Sequence, residues 1–192
     1  MSDHAVLLSL ASAPEFEDVF ERYFDDVCGF LCRRVGPELG EELTAETFAQ
    51  AFRGWARYDA QRGELRAWLF GIAANLLRSH RRTEARGLRA LARERGEAPV
   101  WGHDPLVERL ATRVETRRLA RALAKLRARD RDVLLLTAWT DLSSREIALA
   151  LEIPAGTVRS RLNRARRQVQ AALVAADHAA SHPLANKEAT DG

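Results

Sequence analysis

Hydrophobic residues recur every three to four positions along most of the chain, the spacing of one face of an α-helix. No segment alternates apolar and polar residues as a half-buried strand would, so the pattern predicts an all-α protein. The first predicted helix is FEDVFERYFDDVCGFLCRRV, which ends before the helix-breaking pair Gly36-Pro37. Its apolar stripe consists of Phe16, Val19, Phe20, Tyr23, Val27, Phe30 and Leu31.

Two more helices are predicted in the first half. One runs from about Glu41 to Trp55, and its apolar stripe is Phe48, Ala51, Phe52 and Trp55. The other runs from about Leu65 to Arg82, and its predicted buried face is Leu65, Trp68, Leu69, Ile72 and Leu76. The sequence RYDAQRGEL between them is typical of a turn.

Glycine and proline interrupt the helical pattern between Gly87 and Asp104, which predicts a linker between two small helical domains. The predicted division is an N-terminal extension at 1–13, a first domain at 14–86, a linker at 87–112, a second domain at 113–174 and a tail at 175–192. The tail is small and polar, so we expect it to fray.

In the second domain, Asp130 is predicted to cap the helix DRDVLLLTAWT, and Ser143 with Glu146 forms a capping box for the next helix. A short break at 152–154 separates that helix from the run GTVRSRLNRARRQV. Glu152 stands where a left-handed residue such as glycine is favoured, at a cost of about 1 kcal/mol. The facing residues of a helix-turn-helix would be Ile147, Ala148, Leu151, Val158 and Leu162.

The last of these helices carries five arginines between Gly156 and Val169. Its apolar stripe is Val158, Leu162, Ala165 and Val169. Residues from Thr157 to Arg161 are placed to reach base edges in a DNA major groove, where arginine pairs with guanine through two hydrogen bonds. Arg164, Arg166 and Arg167 are placed to bind phosphates, which makes affinity fall with salt. The alternative is a solvated basic helix.

The overall composition adds little to the fold and partners that the sequence pattern predicts. The 192 residues are 46% hydrophobic, enough for one or two small cores, and the formal net charge is only +3 despite a sequence pI of about 9.3. The clustered arginines therefore indicate a polyanionic partner.

A disulfide between Cys28 and Cys32 would be strained within a helix, so we interpret both as small apolar residues. No catalytic set, phosphate loop or metal-ligand cluster is present, so we expect neither an enzyme nor a cofactor. Without a signal peptide or membrane-length apolar run, we expect a cytoplasmic protein.

The sequence DLSSREIALALEIPAGTVRSRLNRARRQV resembles the C-terminal DNA-binding domain of bacterial sigma factors, and within them the extracytoplasmic-function (ECF) class. The front half of the chain shows the same family resemblance, since FEDVFERYFDDVCGFLCRRV resembles the first helix of sigma domain 2. EELTAETFAQAFRGW resembles the helix that binds the clamp helices of RNA polymerase, and RAWLFGIAANLLRSHRR resembles the helix facing the melted promoter. The resemblance covers about Phe16 to Leu173. It implies that 14–86 is sigma domain 2 and 113–174 is sigma domain 4. Ala45, Ser79 and Arg127 depart from residues common in the family.

The resemblance implies three binding surfaces and no catalysis. The β′ clamp helices of core RNA polymerase would be bound by Glu42, Glu46, Thr47, Phe48 and Gln50, of which the polar residues are expected off the buried stripe, while the β flap is a second polymerase contact. The upstream promoter element would be bound by Thr157, Arg159, Ser160, Arg161, Arg164 and Arg167. The melted downstream element would be bound by Tyr58, Asp59, Gln61, Arg62, Asn75, Arg78, Arg81 and Arg82. Asn75 would read a base edge, and Trp68 is interpreted as a core residue.

Two other function classes stay open from the residues alone. A stand-alone helix-turn-helix regulator would use the same basic helix and would not need the polymerase. A helical enzyme or protein-interaction module is the second alternative. The resemblance also makes an anti-sigma protein that covers both domains a candidate partner, and it implies no membrane contact.

Overall fold

The structure is a computed structural model that describes residues 14–59, 61, 64–95, 105–112 and 116–181. Within these ranges the chain is helical and contains no strand, which confirms the all-α prediction. The helices are α1 (Pro14–Val35), α2 (Pro37–Gly54), α3 (Leu65–Arg95), α4 (Pro105–Thr112), α5 (Arg117–Ala124), α6 (Ala128–Trp139), α7 (Ser144–Ala150) and α8 (Ala155–Ser181), with a 3-10 turn at Trp55–Arg57. None of the helices described here combines the length and hydropathy needed to cross a membrane.

Helices α1, α2 and α3 form the front bundle. The predicted stripe of α1 is confirmed, because Phe16, Val27 and Leu31 are fully buried in its core. Gly36 joins α1 to α2 with a φ of 102°, a conformation that favours glycine. Helix α2 begins at Pro37, four residues before the predicted start, because proline is well suited to the first position of a helix.

Helix α3 differs from its prediction in length and in burial. It continues past Arg82 to Arg95, and of the predicted buried face only Leu69 is fully buried. Leu65, Trp68, Ile72 and Leu76 are half-buried. Between residues 65 and 87, where burial is described, the buried positions of this helix are Ala67, Leu69, Phe70, Gly71, Ala73, Ala74 and Leu77. They cover more than one stripe because α1 and α2 pack on one side of α3 and α7 packs on another.

The predicted linker at 87–112 is partly helical. It contains the end of α3 and the whole of α4, which begins at Pro105. Leu106 of α4 is only 3% exposed and belongs to a small core with Leu123, Leu126 and Leu135. Proline predicts a break in the helical pattern here, although it also suits the first position of a helix. The division into domains remains a prediction.

Helices α5 to α8 form the back bundle, which contains the predicted helix-turn-helix in α7 and α8. Its facing residues Ile147, Ala148, Leu151, Val158 and Leu162 are all buried. Helix α8 continues to Ser181, six residues beyond the predicted start of the frayed tail. The rest of the tail lies outside the described residues.

The prediction that Asp130 caps α6 is wrong. The helix begins at Ala128, its flanking residue is Arg127, and no side chain caps it. Asp130 instead lies in the first helical turn with its side chain fully buried. Its carboxylate accepts a hydrogen bond from Arg164 of α8, with Nη1 3.4 Å from Oδ2. This pair therefore joins α6 to α8.

The predicted capping box at the start of α7 is confirmed. The Ser143 backbone N–H donates to Glu146 Oε2 over 2.6 Å, and the Glu146 N–H donates to Ser143 Oγ over 3.2 Å. Burial alone would raise the pKa of Glu146, but the bonds with Ser143, a bond with Glu64 and the charge of Arg66 together outweigh it and lower the pKa. A lowered pKa means that folding favours the carboxylate. This stabilisation is thus present above the ordinary glutamate pKa and is lost as the pH falls through the lowered value.

The turn between α7 and α8 has the strain expected from the sequence. Glu152 adopts a φ of 53°, the one positive φ among the described residues other than glycine. Its backbone N–H donates to Leu149 O, and the next N–H, of Ile153, donates to Ala148 O. The turn that joins α7 to α8 thus requires the left-handed backbone conformation at Glu152.

Replacing Ser143 with alanine should lower the free energy of unfolding by about 1 kcal/mol, because the Glu146 N–H loses its acceptor. Urea denaturation followed by circular dichroism measures this loss. Ser144→Ala is the matched control, since Ser144 is the first helical residue and makes no capping bond. Equal losses in the two variants would contradict the capping role.

Replacing Glu152 with glycine should raise the free energy of unfolding by roughly 0.5–1 kcal/mol, because glycine adopts positive φ without Cβ strain. The gain is partial because glycine also has more freedom in the unfolded chain. Glu152→Ala removes the same carboxylate and keeps the strain, so it should give no such gain in thermal or urea unfolding. A similar stabilisation by both substitutions would show that charge, and not backbone strain, is responsible.

Candidate functional site

The basic helix α8 separates its apolar and cationic residues as predicted. Val158 and Ala165 are fully buried, Leu162 is 8% exposed, and Val169 packs against the smaller core. The residues predicted to contact the upstream element lie outside this stripe. Arg159, Ser160 and Arg167 are exposed, while Thr157, Arg161 and Arg164 are half-buried. Three of the six predicted upstream residues are therefore exposed on α8.

Two of the predicted upstream residues already have other neighbours. Arg164 pairs with the buried carboxylate of Asp130, so it neutralises a charge inside the back bundle. Arg161 lines a cavity of about 680 Å³ between α8 and α3. Arg159 and Ser160, by contrast, are exposed.

The 680 Å³ cavity is surrounded by guanidinium groups from both bundles. Its arginines are Arg78, Arg81, Arg82 and Arg86 of α3, Arg129 of α6 and Arg161 of α8. Asp132 of α6 is the acidic residue among its lining. Three arginines predicted for the downstream element thus face one predicted for the upstream element across a single cavity.

A second cavity, of about 290 Å³, collects most of the other downstream candidates. Tyr58, Asp59 and Asn75 line it from the front bundle, and Leu149, Ala150 and Glu152 line it from the helix-turn-helix. The Asn75 carbonyl oxygen accepts a hydrogen bond from the Arg78 guanidinium. Asp59 Oδ1 accepts the backbone N–H of Gln61 over 2.9 Å, and Gln61 is exposed. Arg62 lies outside the described residues.

An aromatic cluster, which the sequence pattern does not predict, borders this cavity. The Tyr58 ring stacks on Trp55 at 5.5 Å with an interplanar angle of 9°, and it lies 5.0 Å from the Trp68 ring. Trp68 is half-buried and lines the cavity with Asn75, so its interpretation as a plain core residue is incomplete. Burial, followed by Tyr23, Glu64 and Asp59, raises the pKa of Tyr58, whose phenol therefore stays protonated at neutral pH.

The predicted polymerase-binding residues of α2 divide into an exposed and a buried group. Glu42 and Gln50 are exposed, and Glu46 is partly exposed and bonded to Gln50 and Arg53. Thr47 is fully buried and donates to Leu43 O over 2.6 Å, so the prediction that it lies off the buried stripe is wrong. Phe48 is also fully buried, 4.9 Å from the Phe20 ring. Phe48 therefore packs beneath the exposed residues of α2 and is not itself available to contact a partner protein.

The cysteine pair lies away from both cavities. Cys28 and Cys32 are free, half-buried thiols with their sulfur atoms 3.5 Å apart. Burial, together with the neighbouring Cys28, raises the pKa of Cys32 to about 11, so this thiol stays protonated and weakly nucleophilic at neutral pH. Among the side chains described, no three His, Cys, Asp or Glu residues are grouped to hold a metal ion.

Two family models match the chain, one in each bundle. The model described as Sigma-70 region 2 matches residues 19–87, and the model described as Sigma-70, region 4 matches residues 116–169. The first match covers most of the front bundle, and the second covers the helix-turn-helix. Together they lie on the two segments that carry the predicted binding residues.

Individual relatives and solved structures agree with these matches. The chain is 33% identical to the ECF RNA polymerase sigma factor SigC of Mycobacterium tuberculosis over 147 residues, 73% of this chain and 74% of SigC. It is 27% identical to the RNA polymerase sigma factor YlaC of Bacillus subtilis, over 80% of this chain and 89% of YlaC. Its fold is similar to that of the sigma factor RpoE from Bartonella quintana, solved in complex with the anti-sigma factor NepR. That structure has a TM-score of 0.61 and 21% identity, and the match covers 83% of this chain and 96% of RpoE.

Proposed function

Because the chain belongs to the ECF class of RNA polymerase sigma factors, which direct promoter-specific transcription initiation, we propose that its two bundles bind different parts of one initiation complex. The front bundle binds core RNA polymerase and the melted downstream promoter element. The back bundle binds the duplex upstream element. The observation that carries this assignment is that each bundle presents a separate set of polar residues beside its own buried stripe.

Upstream recognition is assigned to the exposed side of α8. Arg159 and Ser160 lie near its N-terminal end, which is the part of a recognition helix that reaches base edges in the major groove. Arg167 lies two turns further along and is exposed, where it suits a phosphate contact. Arg164 is given a structural role in place of a DNA contact, because Asp130 would otherwise be a buried unpaired carboxylate.

Downstream recognition is assigned to the 290 Å³ cavity of the front bundle. A base taken from the duplex needs flat apolar walls for stacking and a polar group that reads its edge. Trp68 and Tyr58 supply aromatic surface at this cavity, and Asn75 supplies both a donor and an acceptor. Binding the unpaired strand lowers the free energy of melted DNA relative to the duplex, so the population shifts towards the open promoter.

Polymerase binding is assigned to the exposed residues of α2. Glu42, Glu46 and Gln50 form an acidic and polar face, and the buried Phe48 and Thr47 hold the helix rigidly against α1. Such a face suits a basic partner helix. The protein then acts by binding alone, with no catalytic step of its own, and its place of action is the cytoplasm, where bacterial polymerase and promoters are.

An anti-sigma factor is proposed as a further partner. RpoE, whose fold this chain shares, was solved in complex with the anti-sigma factor NepR. A protein that covers the two bundles would block both DNA surfaces. The segment between them, 87–112, is proposed to run through the polymerase, with its helical ends at α3 and α4.

Transcription with purified components tests the proposed function. The chain plus core polymerase should produce a transcript with a defined start from a cognate promoter, while core polymerase alone should not. A stand-alone regulator, the second candidate, would bind the same DNA and give no promoter-dependent start with core enzyme. That result would reject the sigma-factor assignment for this chain.

Arg159→Ala should weaken binding of the holoenzyme to duplex promoter fragments by about 1–3 kcal/mol and relax specificity at one base position, because a base contact is lost. Arg167→Ala should weaken binding to every DNA sequence alike, because a phosphate contact is lost. The slope of log affinity against log salt concentration should fall in magnitude by about 1. Fluorescence anisotropy at several salt concentrations measures both. The assignment fails if the two variants show the same pattern, or if either one loses affinity for core polymerase.

Asn75→Ala should impair promoter opening more than initial docking, because the unpaired base loses its hydrogen-bonding partner while the duplex contacts remain. Permanganate footprinting of unpaired thymines measures opening, and gel mobility at low temperature measures docking. Asn75→Asp keeps the side-chain size and the acceptor but loses the donor, so it shows which group matters. Footprints that match the wild type in both variants would remove Asn75 from this role.

A further inference from the structure

The cavity of about 680 Å³ between α3, α6 and α8, which we call the arginine cavity, is strongly cationic. Its arginines come from both bundles, four from α3, one from α6 and one from α8: Arg78, Arg81, Arg82, Arg86, Arg129 and Arg161. Positive charges grouped around one space repel one another, and an anion placed among them lowers the electrostatic energy. The lining therefore favours a ligand with several negative charges.

The acidic residue of this lining, Asp132, offsets little of the cavity's charge. Its carboxylate accepts a hydrogen bond from Arg34 over 2.7 Å and lies 3.4 Å from Arg81. Arg34 is fully buried and lies outside the lining, so Asp132 chiefly compensates a charge behind the cavity wall. The other five lining arginines have no second carboxylate among the described residues of the lining.

The start of α6 adds to the attraction for an anion. Ala128 and Arg129, the first two residues of this helix, both line the arginine cavity. The flanking residue is Arg127, and no side chain caps the helix. The N-terminal end of a helix has a partial positive charge and backbone N–H groups that can donate to an anion. Backbone and side chains thus favour the same kind of ligand.

The size and lining of the cavity narrow the chemistry of that ligand. A volume of about 680 Å³ suits a small molecule, since such sites usually measure about 300–1,000 Å³. Arginine binds phosphate oxygens through two parallel hydrogen bonds, which makes phosphate a better match than a diffuse anion. Arginines on three helices surround the space, so one phosphate cannot engage them all, whereas a chain of phosphates can. Ala85, Ala128 and Leu151 supply an apolar part of the wall.

We propose that the arginine cavity is a binding site for a small ligand that contains a chain of phosphates and contacts both bundles at once. An inorganic polyphosphate and a nucleoside triphosphate share this chemistry, and the second would also use the apolar part of the wall. Arg86 and Arg129 belong to this site and to neither predicted promoter surface. The binding site does not rest on the proposed function.

A consequence for DNA binding does rest on the proposed function. Arg78, Arg82 and Arg161 line the cavity and are also predicted contacts of promoter DNA. A phosphate chain bound to these guanidinium groups occupies donors that DNA phosphates would use. The ligand and the promoter therefore compete for the same chain.

Isothermal titration calorimetry of the free chain at fixed salt tests the site. Tripolyphosphate should bind at one saturable site, pyrophosphate more weakly and inorganic phosphate most weakly, because fewer arginines are engaged. ATP that binds at least as tightly as tripolyphosphate identifies a nucleotide ligand, and weaker binding of ATP identifies the inorganic chain. Binding that does not saturate, or that is the same for one phosphate and for three, would overturn the proposal.

Substitutions in each bundle show whether the cavity itself binds. Arg86→Ala and Arg129→Ala should each weaken tripolyphosphate binding about tenfold, because charge-assisted hydrogen bonds are lost. Both side chains are exposed, so the variants should fold, and circular dichroism checks this. Arg145→Ala is the matched control, since Arg145 is exposed on α7 and lies outside the lining. An equal loss in all three variants would indicate general attraction to a basic surface and reject the site.

Transcription with core polymerase tests the competition. Tripolyphosphate added to the wild-type chain before core polymerase and promoter should reduce the transcript, and Arg86→Ala and Arg129→Ala should require about tenfold more of it. The two variants share the buffer and its divalent cations, so they control for chelation. Equal sensitivity of wild type and variants would overturn the competition. If no form directs a transcript, the proposed function fails, and calorimetry still decides whether the site exists.

Discussion

Helix α3 must be covered on two sides at once, and the rest of the structure follows from this constraint. One side carries Leu69, Phe70 and Leu77 into the front core, and the other side carries Ala67, Gly71 and Ala74 against α7. Because the second side is made of small residues, the helix-turn-helix can approach to backbone contact. The same helix also carries Asn75 and the arginines proposed to hold the melted promoter. Covering α3 therefore stabilises the chain and also places α7 beside the proposed downstream site.

Amphipathic periodicity explains why so much of the fold could be predicted. Val158, Leu162 and Ala165 are buried because they lie on one stripe of α8, and the helical period alone identifies such a stripe. Ser143 and Glu146 were predictable because a capping box is local in sequence. The strain at Glu152 follows from the same local reasoning, since α7 and α8 leave only a short turn between them.

Some of the failures arise where a contact between distant segments of the chain determines the structure. The burial of Arg34 depends on Asp132, 98 residues further along the chain, so no local pattern reveals it. Thr47 is polar and was expected on the surface, but its hydroxyl bonds Leu43 O and needs no water. Arg164 is predicted to contact DNA, yet in the structure it forms an ion pair with the buried carboxylate of Asp130. Helix α4 lies in the predicted linker because glycines and prolines from Gly87 to Pro105 interrupt the helical pattern just before it. For Arg34 and Arg164 a distant partner overrides the residue's ordinary preference, whereas the Thr47 hydroxyl is satisfied within its own helix.

The central claim is that the two bundles of one chain bind different parts of a single initiation complex on core polymerase. Spin labels at Glu21 of α1 and Gln168 of α8, both exposed, report the distance between the bundles in a chain whose Cys28 and Cys32 are changed to serine. Pulsed electron paramagnetic resonance should give one short distance for the free chain and one longer distance in complex with core polymerase. The same distance in both states would contradict the account.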